Sequence, residues 1–143
     1  MHEAKAFLQS VKRQVLYVKT LEEELDQLRQ EGGQLKSPSI GTAVQNSHKS
    51  DLAEAVERIE EYSQRVEKEI LKMISLKMKA EQLIAHDPDQ TRRAIMHRRY
   101  MMCQTWSAIC AAMNYSSTHV LRMHGDSLRI LDKFIGKDGS KWE

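Results

Sequence analysis

Helix breakers are scarce in this chain: its 143 residues include two prolines and six glycines. Long stretches without either favour an all-α protein. Cysteine is nearly absent too. Cys103 and Cys110 are too few for a disulfide scaffold. They stand seven apart with His97 upstream, unlike the closely spaced Cys pairs of a zinc site, so no metal is expected. Long apolar runs are also missing. No window approaches the roughly 18 consecutive apolar residues of a membrane span. Met1 to Phe7 has no apolar run of signal-peptide type. The expectation is a soluble, reduced, cytoplasmic protein with no membrane partner.

Apolar residues make up 41% of the chain, enough to bury a core, and charged residues 29%. The net charge of +2 hides an uneven spread. Residues 1–87 hold 13 Lys+Arg against 15 Asp+Glu, whereas residues 88–143 hold 9 against 5. The change of sign points to a protein partner for the first part and a polyanion for the second.

Two heptad patterns organise residues 1–87 as a helical, coiled-coil arm. In the first, Ala4, Phe7, Val11, Val18, Leu21, Leu25 and Leu28 alternate three- and four-residue steps, with Gln14 the one polar member. Gly32-Gly33 is expected to end that helix. Residues 32–50 read as a polar linker, flexible because it is longer than most helix–helix loops. The second pattern, from Asp51 to His86, places Leu52, Val56, Ile59, Val66, Ile70, Met73 and Ala80 on one stripe, interrupted by Ser63 and Lys77. Neither helix can bury its stripe alone. They pair as an antiparallel hairpin, between chains as a homodimer, or both.

Asp87-Pro88-Asp89-Gln90 marks a new start, with Asp87 as cap, Pro88 at the first helical position and Gln90 completing a capping box. Residues 88–135 then read as three helices, near 88–101, 105–113 and 117–134, and 136–143 as a disordered tail. Thr105 caps the middle helix, whose Trp106, Ile109 and Met113 share a face. Asn114-Tyr115 makes a tight turn, because Asn tolerates a left-handed backbone. Ser116 caps the last helix. Val120, Met123, Leu128 and Leu131 form its buried side.

A short helix, a tight turn and a longer helix with a polar start form the helix-turn-helix layout, in which the second helix enters the major groove. The expected DNA-binding set is Ser116, Ser117, Thr118, His119, Leu121 and Arg122, with His124 beside it and Thr105 at the preceding helix start. Arg122 has the planar fork that matches a guanine edge. Arg92, Arg93, Arg98 and Arg99 suit phosphate contacts. His119, His124 and Asp126 bring no nucleophile or pocket with them, so no enzyme and no cofactor are expected. Most of Met73, Met78, Met96, Met101, Met102, Met113 and Met123 sit at core spacing and are expected to pack, with one of Met101 and Met102 exposed.

Residues 99–131 resemble region four of bacterial sigma factors, which recognises an upstream promoter element. Thr105, Ile109, Met113, Ser116, Val120, Met123 and Leu128 carry the match. The whole chain is similar to phage and prophage regulators of Gram-positive bacteria. In those, a helical arm and polar linker precede such a module with Arg-Tyr, Thr-Trp and Met-Asn-Tyr-Ser, here Arg99-Tyr100, Thr105-Trp106 and Met113-Asn114-Tyr115-Ser116. The resemblance implies a transcription regulator in a bacterial host cell that binds double-stranded DNA. Polymerase core contacts do not carry over with it, and the helical arm is left to contact RNA polymerase or a second copy of the chain. Sigma factors place Arg-Glu where Ser117-Thr118 stand here, and an arginine in place of Leu121, which points to a phage-specific site. Two other readings compete. One is a packaging adaptor similar to small terminase subunits. The other is a polymerase-binding protein without DNA affinity.

Overall fold

A computed structural model describes residues 2–35 and 42–135. Among these, every regular element is helical. In chain order they are α1 (Glu3–Leu35), α2 (Thr42–Ile84), α3 (Gln90–Met96) continued by a π-helical segment (His97–Met101), α4 (Trp106–Met113) and α5 (Ser117–Asp132). The chain is all-α, as its shortage of helix breakers implies.

The ends of the first two helices differ from expectation. Gly32-Gly33 does not stop α1, which runs on to Leu35, and α2 begins at Thr42, well before Asp51. The expected linker 32–50 is therefore helical at both ends, and its centre, 36–41, lies outside the described residues, as does the expected tail 136–143. The reason is packing. A Cβ on Gly32 would sit 2.9 Å from Ile59 Cδ1, so the glycine lets α2 approach closely instead of breaking α1.

The chain divides into two compact units: Met1–Leu16 with Lys72–Glu143, and Tyr17–Leu71. The second unit is a hairpin of the two long helices within one chain. Leu21 and Leu25 of α1 and Val66 of α2 are its buried core, flanked by Ile59, Tyr62 and Ile70. Tyr62 Oη donates to Glu24 Oε2 at 2.8 Å. Val56, placed on the stripe by its spacing, is instead 48% exposed, while Leu52, Ala55 and Ile59 beside it are half-buried.

The first unit is larger than the expected domain 88–135. Ala4, Leu8 and Val11 of α1 and Ala80, Leu83 and Ile84 of α2 share one core with Met96, Tyr100, Leu131 and Ile135. Burying one such Leu or Ile side chain is worth about 1.5–3 kcal/mol. The two long helices thus supply part of the hydrophobic support for α3 and α5 rather than only preceding them. A smaller cluster of Ile95, Ile109 and Val120, with Trp106, Cys110, Met113 and Met123 against it, ties α3, α4 and α5 together. Of the methionines, Met96 is buried, while Met78 and Met102 are exposed.

Candidate functional site

The site is built from α3 onward. Its entry turn is organised by Asp89, not Asp87. Asp89 takes the cap position and accepts from Arg92 N, leaving Gln90 as the first helical residue. Asp87 is fully buried and occupied otherwise. Arg92 grips its carboxylate with a fork: Nε at 3.0 Å from Oδ2 and Nη2 at 2.9 Å from Oδ1. Asp89 N donates to Oδ1 at 2.9 Å. Burial by itself works against ionisation of Asp87. The hydrogen bonds from Arg92 and the Asp89 backbone outweigh it and hold the carboxyl below its usual range.

This assembly engages two of the four arginines assigned to phosphates. Arg93 Nη1 also points back, donating to Asp87 O at 2.7 Å. The other two are engaged as well. Arg98 Nη1 donates to Gln104 Oε1 at 3.3 Å, and Arg99 Nη1 to Gln104 O at 3.1 Å. The Arg99 guanidinium lies 4.3 Å from the Trp106 ring centroid, a cation–π contact. Counting charges along the sequence could not reveal these acceptors, since two of them are backbone carbonyls.

The π-helical segment also has no signature in the sequence. It carries Tyr100 inward, where its hydroxyl and His124 Nε2 share a 2.7 Å hydrogen bond. Trp106 meets the His124 ring edge-on at 4.7 Å. The sequence reading puts His124 on the exposed side of the last helix, and the structure corrects this: it is 8% exposed. The cause is register. Val120, His124, Ser127 and Leu131 follow four-, three- and four-residue steps and form the inward stripe of α5, while Met123 and Leu128 flank it half-buried. Burial first, then the cations Lys5 and Arg99, push the His124 pKa down to about 4. Burial likewise pushes Tyr100 up to about 12.

The loop into α4 turns at Cys103, whose φ of 56° is left-handed. Thr105 then caps α4, its Oγ1 accepting from Ala108 N at 3.1 Å. α4 ends at Asn114, left-handed at φ 58° and ψ 44°, with its N–H donating to Cys110 O. Tyr115 N donates to the same carbonyl at 3.2 Å. Ser116 caps α5, its Oγ accepting from His119 N at 3.2 Å. Both caps and the left-handed turn fall where the sequence places them.

From that cap, Ser117, Thr118, His119, Leu121 and Arg122 are all exposed, while Val120 among them is fully buried. Tyr115, 40% exposed, meets the His119 ring edge-on at 4.6 Å. Arg122 makes no salt bridge among the described residues. The first two turns of α5 therefore present hydroxyls, an imidazole, a guanidinium and an apolar Leu121 on one outward surface. Ser116 and Thr105 are exposed as well.

Among the described residues no helix is long and apolar enough to cross a membrane. No family model matches this sequence, and no curated protein or solved structure matches it significantly.

Proposed function

We propose that this chain is a non-enzymatic transcription regulator of the phage type, with α4, the Asn114 turn and α5 acting as a helix-turn-helix on promoter DNA. One observation carries the reading: the outward set Ser117, Thr118, His119, Leu121 and Arg122 at the start of α5, anchored from beneath by fully buried Val120. Residues at the N-terminal end of a recognition helix are the ones that meet base edges. Arg122 supplies a planar fork for guanine, the hydroxyls reach bases or phosphates, and Leu121 suits a thymine methyl. The half-buried arginines, held by Asp87 and Gln104, retain further N–H donors for phosphates, and that fixed geometry favours a defined register on the duplex.

The helical arm is read as the protein-contacting part. Ile74 and Met78, one turn apart on α2, are exposed apolar side chains at 45% and 57%. They suit a second copy of the chain or RNA polymerase. A gel-shift series on prophage promoter duplexes, run at rising salt, tests the DNA reading. Binding that weakens steeply with salt is expected, because phosphate contacts release counterions. No binding to any duplex at low salt contradicts it.

A further inference from the structure

A cavity of about 420 Å³ opens in the first unit, where the start of α1 faces Arg99, Trp106 and His124. Lys5, Lys12 and Arg13 line it from α1, and Arg99 from the π-helical segment. Among the described residues no carboxylate lines it. The chain is not short of acids, with 20 Asp+Glu against 22 Lys+Arg, yet none of the described ones is placed here. Lys5, Lys12 and Arg13 make no salt bridge among the described residues.

Four cations lining one concavity repel one another, and the repulsion is screened least at half-buried Lys12 and Arg99, while Lys5 and Arg13 are exposed. The arrangement is relieved by an anion. His124 lies in the same field: burial first, then Lys5 and Arg99, depress its pKa. The volume falls within the usual span of small-molecule pockets, about 300–1,000 Å³. Trp106 adds a planar apolar wall, already facing the Arg99 guanidinium. Lysines as point charges and arginines as forks are the side chains that hold phosphate groups.

We infer that this cavity binds a small soluble phosphate-bearing molecule of nucleoside di- or triphosphate size, held by Lys5, Lys12, Arg13 and Arg99 against Trp106. The exposed residues of α5 do not line the cavity, and of the residues assigned to DNA Arg99 alone does, so the two readings share that one side chain and are tested separately.

Titration calorimetry on the full chain, with ATP and with inorganic pyrophosphate, tests it. The double variant Lys12→Glu/Arg13→Glu is compared with the parent, and Lys5→Gln provides a second, milder probe. Circular dichroism verifies the helical fold of each. Saturable binding is expected, weakened about tenfold or more in the double variant and several-fold in Lys5→Gln, as expected when charge partners of a phosphate are lost. ATP that binds more tightly than pyrophosphate supports the Trp106 wall. Absence of binding to either probe at about 1 mM, a millimolar Kd being weak association, overturns the inference. Binding unchanged in both variants overturns it too. Loss of duplex affinity in the variants without saturable ATP or pyrophosphate binding by the parent likewise overturns it, and assigns the cations to DNA.

Discussion

Tyr100 and His124 are joined by a buried 2.7 Å hydrogen bond between the π-helical segment and α5. The bond fixes the underside of the helix whose outer side is proposed to meet DNA. Its imidazole stays neutral in the folded protein, since its pKa is pushed down to about 4, whereas an unfolded histidine titrates near 6.5. Between those values the unfolded chain binds the proton and the folded chain does not. Stability is therefore lost as pH falls from about 6.5 towards 4. Urea unfolding at pH 7 and pH 5 is expected to differ by about 2 kcal/mol, and His124→Gln is expected to remove most of that difference.

Asp87→Ala is expected to cost about 3 kcal/mol, in the range for breaking a buried ion pair. Arg92 loses its carboxylate and the Asp89 backbone loses an acceptor. Asp87→Asn separates charge from shape. The folded Asp87 pKa lies below its ordinary value, so its contribution is complete above about pH 4 and is lost as pH falls further. The Asn variant is expected to lack that acid limb in thermal unfolding followed by circular dichroism.

Asn114 holds φ 58°, where a β-branched side chain clashes with its own backbone. Asn114→Val is expected to destabilise by about 1–2 kcal/mol. Asn114→Gly is expected to be close to neutral. Denaturant midpoints of the two variants check this. Equal destabilisation by both would mean that the Asn side chain, not the backbone geometry, matters.

Gly33 lies inside α1 with open space where a Cβ would stand, unlike Gly32. Gly33→Ala is expected to stabilise the chain by up to about 1 kcal/mol, the helix-interior difference between the two residues. Had the glycine pair ended the helix in a left-handed cap, the same change would destabilise. Thermal melts distinguish the two signs.

Much of the fold is legible in the sequence because helix signals are local. Heptad spacing marks Val18, Leu21 and Leu25 as buried, and the side-chain caps at Thr105 and Ser116 lie where their hydrogen-bonding chemistry predicts. What is not legible depends on distant partners. Gly32 reads as a stop until Ile59 is seen against it. Leu8 lies off the a/d series yet is fully buried in a core completed by residues far along the chain. His124 reads as polar and outward until Tyr100 and Trp106 receive it. The exposed face of α5 is legible. The engagement of Arg92, Arg93, Arg98 and Arg99 is not, nor is the convergence of Lys5, Lys12 and Arg13 on Arg99.

The outward start of α5 is proposed to meet duplex DNA, and charge reversal there tests this most directly. Ser117→Glu/Thr118→Glu places two carboxylates on exposed positions in the first turn of α5, where acidic residues favour the helix. Fluorescence anisotropy on a promoter duplex, with the melting temperature measured alongside, is the experiment. Affinity is expected to fall by about a hundredfold or more through repulsion from phosphates, with the melting temperature unchanged or slightly raised. Unaltered affinity in a folded double variant would contradict the proposal.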